Sequence, residues 1–362
     1  MSGAPLRPGA TIGILGGGQL GRMLAQAAAR LGLSTAVYAP DALSPAFQVC
    51  ARRFKAAYDD ERALADFSQA CDVVTFEFEN VPAATLDYLA GHGVVRPSPR
   101  ALGITQDRLQ EKDFLSVLDI PVPTYRAVES AADLAAAMEG LGGEAVLKAR
   151  RFGYDGKGQA RLDRADEAKT AWAQIGEVPA TVERMVAFDR EISVLLARRP
   201  EGDWSAYPPT ENEHAGGILR RSRAPADISE TVADTAVAYA QAIAEALDFV
   251  GLLAVEMFVI DAEGAVLVNE IAPRVHNSGH WTIEGAITSQ FEQHIRAIAD
   301  LPLGATDAIG GAEMHNLLGT EIDRWAELLD DPAAHVHHYG KTGARPGRKM
   351  GHVTWVASDS SG

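Results

Sequence analysis

Apolar runs and helical stripes alternate along residues 1–110 at the spacing of parallel βα units. Thr11–Leu15 reads as the first strand, residues 20–31 as the first helix and residues 35–38 as the second strand. Val73–Phe76 is a later strand that runs into Glu77, Phe78, Glu79 and Asn80. From Leu102 the texture changes: a helix is predicted over residues 108–118, and Pro121 and Pro123 mark a linker into a second domain. Residues 145–148, 180–183 and 191–196 read as strands around a glycine-rich loop, and residues 228–247 as a long Ala-rich helix. Residues 254–260, AVEMFVI, set Glu256 in alternation with apolar neighbours, residues 261–264 are a turn, and residues 266–268 return as a second strand. The pair predicts a hairpin. Past Asp300 come short strands and loops, with basic residues near the end; there is no internal repeat or low-complexity tract.

The hairpin carries the first candidate chemistry. Glu256 and Glu270 would point from neighbouring strands toward one space, with Asn269 and Glu270 delivered at the end of the second strand. Two carboxylates that close repel each other unless a divalent cation lies between them, and an oxygen-rich site suits Mg²⁺. The alternative is a pair of solvated strand carboxylates. The irregular stretch that follows gathers Pro273, Arg274, His276, Asn277, Ser278, His280 and Glu284, as loops at strand ends do when they present functional groups.

Two glycine clusters add phosphate chemistry. Gly16-Gly17-Gly18-Gln19-Leu20-Gly21 has the G-x-G-x-x-G spacing directly after a strand, and Asp41 falls where the ribose-binding acid of a dinucleotide-binding domain would follow. That keeps a nicotinamide oxidoreductase open as a rival. The second cluster follows Lys148 at a strand end: Arg150-Arg151-Phe152-Gly153-Tyr154-Asp155-Gly156-Lys157-Gly158-Gln159. Its glycines and cations suit a flap whose amides close over a polyphosphate, but it lacks the G-x-x-x-x-G-K-[ST] spacing of P-loop proteins. A plain glycine-rich hairpin turn is the alternative. Lys148, the flap and the Glu256/Glu270 pair together supply what nucleotide-driven phosphoryl transfer requires: a cation, a lid and metal-holding carboxylates.

Composition narrows the class. A chain of 362 residues predicts two or three domains, and 47% hydrophobic with 23% charged residues is ordinary for a globular enzyme. A net charge of −16 argues against non-specific nucleic-acid or anionic-membrane binding, so the basic cluster Lys341, Arg348 and Lys349 stands out. Only Cys50 and Cys71 are present, without metal-ligand spacing, which fits a reducing cytoplasm. No apolar run reaches transmembrane length, and the opening MSGAPLRPGA lacks a signal-peptide core and reads as a frayed tail.

A lysine-ended strand, a glycine-rich flap, a strand Glu183 and a distal Glu256/Asn269-Glu270 hairpin resemble the ATP-grasp superfamily. Within it, GGGQLGRML (16–24), GYDGKGQ (153–159), NEIAPRVHNSGHWTIEGAITSQFEQHIRAI (269–298) and RPGRKMGH (345–352) resemble the N5-carboxyaminoimidazole ribonucleotide synthetases of purine biosynthesis. The glycine motifs are shared with neighbouring families, whereas APRVHNSGHWT is specific. The resemblance implies an α/β and α+β chain: an N-terminal Rossmann-like pre-ATP-grasp domain over 1–107 and an ATP-grasp domain over 108–298. The latter divides into a flap lobe at about 120–186 and a larger lobe at 187–298, and a small β-rich C-terminal domain covers 299–362. It also implies relatives that continue beyond the equivalent of Gly362.

The implied cofactors are ATP and Mg²⁺, and the implied reaction joins bicarbonate to 5-aminoimidazole ribonucleotide through carboxyphosphate, releasing ADP and phosphate. ATP would meet Arg108, Lys148 and the flap Gly153, Tyr154, Asp155, Gly156, Lys157, Gly158 and Gln159. The backbone of Glu183, Arg184, Met185 and Val186 would read adenine, and Glu191 would take the ribose hydroxyls. His214 lies in the matching YPPTENEH string, Asn269 would sit beside the phosphates, and Glu256 and Glu270 would bind the metal. The ribonucleotide would lie against the Gln19 and Leu20 amides, Glu77, Arg274, His276, Asn277 and Ser278, with Lys341, Arg348 and Lys349 receiving its 5′-phosphate. Tyr154 and Asp155 would reach the imidazole or bicarbonate, and with Lys157, Arg274 and His276 form the catalytic set. Glu191 and His214, taken singly, also read as surface or core residues, and Tyr154 and Asp155 as flap packing. The histidines at 335, 337 and 338 resemble a metal cluster by count but read as structural. A homodimer is implied, with no nucleic-acid or membrane partner. Two further alternatives are a non-catalytic nucleotide-binding regulator and a sister ligase acting on glycinamide ribonucleotide with formate.

Overall fold

The computed structural model describes residues 4–151, 153 and 158–357. Three sheets organise it. The first holds four parallel strands in the order Arg52–Phe54, Ser34–Tyr38, Thr11–Leu15, Val73–Phe76. Three of its strands, TIGIL, STAVY and VVTF, are almost wholly buried, which is why they read as continuous apolar runs. Arg52–Phe54 is a short, exposed edge strand that carries no such signal. The opening segment is not a free tail past its first residues: the Leu6 N–H donates to the Ala299 carbonyl at 2.9 Å.

The second sheet is antiparallel, ordered Tyr125–Val128, Ala180–Arg184, Ala145–Ala149, Gln159–Leu162, with helices Ala131–Leu141 and Ala168–Gln174 closing an apolar core over it. The glycine-rich segment is the connection between its two neighbouring strands Ala145–Ala149 and Gln159–Leu162, a hairpin loop. Of the flap residues, Tyr154, Asp155, Gly156 and Lys157 lie outside the described residues.

The third sheet has nine strands. Gly251–Ile260 and Arg190–Arg198 are neighbours near one end of it, and the helix Glu230–Ala246, capped by Ser229, lays Val232, Ala236, Ala240 and Ile243 on them. The C-terminal strands Ala312–Leu318, Lys349–Val356 and His335–His338 extend this same sheet through Thr210–Ala215 and Ile218–Ala224. The helix Gln19–Arg30 packs on Gln290–Ile298, so the parallel sheet shares a core with the large one. All three units border one cavity of about 2420 Å³.

Candidate functional site

The hairpin Gly251–Ile260/Ala265–Ala272 sets Glu256 directly opposite Glu270 in register. The returning strand is longer than its apolar run: it continues through Asn269 and Glu270 to Ala272, so these two are not at its end. Strict alternation would turn them to opposite faces, but the pairing steps from Glu256↔Glu270 to Met257↔Val268, making Asn269 an extra bulge residue. Both therefore border the cavity.

Cations converge on this strand. Lys148 Nζ donates to Glu183 Oε2 at 2.9 Å and to Asn269 Oδ1 at 3.2 Å, and Arg108 donates to Glu270 Oε2 at 3.0 Å. Lys112, fully buried, lies 3.6 Å from the same Glu183 oxygen. Burial works against the Glu183 charge, but Lys148, Lys112 and Arg108 outweigh it and hold the carboxyl down at about 2. The facing carboxylates separate. Burial and then the Glu270 charge push Glu256 up, while Arg108 and Lys148 overcome burial and hold Glu270 below its usual range. A divalent cation between them would remove that conflict. Among the described residues no third acidic, histidine or cysteine ligand joins the two carboxylates, and such a pair suits Mg²⁺, which keeps water and phosphate oxygens in its shell.

His276 supports Glu256. Its Nε2 lies 3.2 Å from Glu256 Oε1, and its Nδ1 is 2.9 Å from Ser278 Oγ. Burial, helped by Arg274 and Lys349, lowers this imidazole to about 3 and keeps it neutral. Ser278 accepts in turn from Ser193 Oγ at 2.7 Å. Ser278 is itself fully buried behind His276, where its hydroxyl supports that imidazole. Asn277 borders the cavity, but its amide is exchanged with that of Asn316 through bonds of 2.9 and 2.8 Å.

On the facing wall, Glu77 accepts the Gly18 N–H at 2.7 Å and the Gly21 N–H at 3.1 Å. A Cβ on Gly18 would lie 2.6 Å from Glu77 Oε1, and one on Gly16 would overlap Glu77 Cγ. The glycines thus make room for a carboxylate of the same chain at the helix N-terminus, where a dinucleotide pyrophosphate would meet like charge. Asp41 accepts the Leu43 N–H at 2.9 Å and serves its own turn. The Gln19 and Leu20 amides belong to the first helical turn at the cavity wall, and Glu77 does not take them. Beside them Arg274 pairs with Glu79, whose charge survives burial because of that guanidinium. Lys341, Arg348 and Lys349 border the same space. Arg348 also donates to the Thr342 and Gly343 carbonyls at 2.6 and 2.9 Å, which shapes the loop that carries it.

Gly153, Gln159, Met185, Glu191 and His214 also border the cavity, and Glu191 is hydrogen-bonded to His214. Burial lowers the His214 imidazole, but the Glu191 bond and the Glu256 charge raise it above its ordinary range. Of the expected adenine-reading backbone, Met185 borders the cavity, and the Arg184 and Met185 N–H groups go to the Thr124 and Glu144 carbonyls, each at 2.8 Å. Glu183 faces inward as the counter-ion of Lys148. His337 pairs with Glu284 at 2.7 Å and stacks on His352, and no group of three metal-ligating side chains forms among the described residues. Glu79, Glu111, Lys112 and Arg345 were not anticipated. Only the i, i+3, i+4 spacing of Arg108, Glu111 and Lys112 on one helix face offered a signal.

Three family models match in succession: the ribonucleotide synthetase preATP-grasp domain over 9–106, the ATP-grasp domain over 113–291 and the phosphoribosylaminoimidazole carboxylase C-terminal domain over 312–361. The chain is 50% identical to the N5-carboxyaminoimidazole ribonucleotide synthase of Brucella melitensis, over 98% of this chain and 99% of that protein. It is similar to a crystal structure of an N5-carboxyaminoimidazole ribonucleotide synthetase with ADP, at TM-score 0.95 and 41% identity, covering 98% of this chain and 94% of that one. A third relative, from Aspergillus clavatus, is an N5-carboxyaminoimidazole synthase in complex with ADP and 5-aminoimidazole ribonucleotide, with TM-score 0.91, 32% identity and 97% and 94% coverage. No helix among the described residues is long and apolar enough to cross a membrane. An ATP-grasp domain behind a pre-ATP-grasp domain, over the whole length of such relatives, places this chain in the N5-carboxyaminoimidazole ribonucleotide synthase family of ATP-dependent ligases.

Proposed function

We propose that this chain carboxylates 5-aminoimidazole ribonucleotide with bicarbonate at the expense of ATP, giving N5-carboxyaminoimidazole ribonucleotide, ADP and phosphate. The supporting observation is that one cavity joins the Lys148–Asn269–Glu270–Glu256 wall to the first glycine loop and the basic Lys341–Lys349 segment. Bicarbonate is a poor electrophile. One of its oxygens attacks the terminal phosphorus of ATP, and ADP leaves with the broken bond's electron pair. The exocyclic amine then attacks the carboxyl carbon of carboxyphosphate, phosphate departs, and the nitrogen gives up a proton.

Lys148 and Arg108 stabilise charge on the phosphates, with Asn269 beside them, and Gly153 and Gln159 border the same cavity. Mg²⁺ held by Glu256 and Glu270 would neutralise charge building on the transferred group. Neutral His276 steadies Glu256 through Nε2, and Arg274 is held by Glu79. Lys341, Arg348 and Lys349 receive the 5′-phosphate of the ribonucleotide through charge-assisted bonds. Glu191 with His214 takes the nucleotide ribose. An acidic chain with two free thiols, Cys50 and Cys71, fits the cytoplasm, and the family resemblance supports a homodimer, which light scattering on a sizing column would measure. The decisive experiment is ADP release with bicarbonate, formate, 5-aminoimidazole ribonucleotide and glycinamide ribonucleotide varied independently. Dependence on formate and glycinamide ribonucleotide would move the chain to the sister ligase.

A further inference from the structure

Ala265–Ala272, which carries Asn269 and Glu270, is the terminal strand of the nine-stranded sheet, so one side of its backbone has no neighbouring strand among the described residues. The groups on that side nevertheless find partners. The Val268 N–H donates to the Pro121 carbonyl at 2.8 Å. Lys112 Nζ donates to the Asn269 carbonyl at 2.7 Å and reaches that of Val268 at 3.4 Å. Glu111 Oε1 accepts the Ile271 N–H at 2.6 Å. Glu111 is 2% exposed and Lys112 is 0% exposed. An acid and a base buried side by side on one helix are costly unless their partners demand them.

The two side chains bracket the bulge, the amine taking the carbonyl of the bulge residue and the carboxyl taking the N–H two residues on. We propose that Glu111 and Lys112 are positioning residues that stand in for the missing neighbouring strand and lock the bulge at Asn269, so that the Asn269 amide and the Glu270 carboxylate project together into the cavity. A one-residue slip would turn these backbone groups toward the partner strand, leave the acid and amine buried without partners, and send Asn269 and Glu270 to opposite faces. The catalytic consequence rests on the reading that Asn269 and Glu270 serve ATP and its metal.

The test combines amide hydrogen exchange with kinetics on the full chain. In the wild type the Ile271 N–H, although on an outer edge, should exchange as slowly as the ladder amides of Gly251–Ile260; exchange at the rate of an open edge overturns the lock, whatever the variants do. Glu111→Ala should speed Ile271 exchange and raise the KM for Mg·ATP by at least about tenfold, while the KM for the ribonucleotide moves less than about twofold, as loss of a single charged hydrogen bond implies. Glu111→Gln keeps an acceptor oxygen and should restore both readouts; failure of rescue, or equal loss toward both substrates, overturns the proposal. Lys112→Met should reproduce the Glu111→Ala pattern. Faster Ile271 exchange with an unchanged KM for Mg·ATP would overturn the assignment of ATP to Asn269 and Glu270, a failure distinct from that of the lock.

Discussion

Replacing Glu183 with Gln separates two roles for this strand residue, the adenine-reading hinge and the counter-ion of Lys148. Its side chain is 3% exposed, 2.9 Å from Lys148 Nζ and 3.6 Å from Lys112 Nζ. The fall of its carboxyl from 4.5 to about 2 corresponds to roughly 3 kcal/mol of folded-state stabilisation. Lys112 offsets part of this, because burial pulls its amine below the ordinary range despite Glu183. Removing the shared anion also leaves two cations facing each other in a dry site, and breaking such a pair costs about 3–5 kcal/mol. Glu183→Gln should therefore lose about 3 kcal/mol near neutral pH, or about 6–12 °C of melting temperature for a unit of this size. The sign in pH follows from a depressed acid: the wild-type advantage is full above 4.5 and shrinks as pH falls toward about 2. Chemical denaturation of both proteins across pH 3 to 8, with the KM for ATP measured alongside, reads the effect. Stability within about 1 kcal/mol of wild type at pH 7, beyond the ordinary scatter of surface substitutions, would refute the ion-pair reasoning.

Glu270→Gln should leave the chain folded yet abolish Mg²⁺-dependent ADP release; near-normal turnover at ordinary Mg²⁺ would remove the metal assignment. Lys341→Ala and Arg348→Ala should raise the KM for the ribonucleotide by about ten- to a hundredfold and that for ATP far less, and the reverse pattern in steady-state kinetics would relocate the phosphate receptor. Gly18→Ala should destabilise by about 1–3 kcal/mol in a thermal melt and weaken ribonucleotide binding, because the new methyl displaces the Glu77 carboxylate from the Gly18 and Gly21 amides.

Much of the architecture was legible in periodicity. Buried parallel strands such as Thr11–Leu15 and Val73–Phe76 are continuous apolar runs, and the Glu256/Glu270 hairpin was readable from alternation and its turn. Strands with polar, half-exposed sequences were not: Thr210–Ala215 and Ile218–Ala224, TENEHA and ILRRSRA, are strands because cross-strand ion pairs such as Arg223–Glu211 line their face. The residue types of the site stood in the sequence, since a lysine-ended strand, paired carboxylates and a basic loop are local patterns.

By itself the sequence determined which side chains could do this chemistry and that they belonged to an ATP-grasp ligase. Only the tertiary structure decided their partners. Glu183 lies 35 residues from Lys148 in the chain, and Glu111 lies 160 from the Ile271 amide that it accepts, so neither pairing leaves a local pattern. The first glycine loop shows the same division: its spacing announces a tight turn before a helix, but Glu77, 59 residues from Gly18, fills the helix end and determines what can bind there. Periodicity reports which face of an element is buried; the identity of a buried charge's partner is set by packing between elements, where desolvation makes each missing partner expensive.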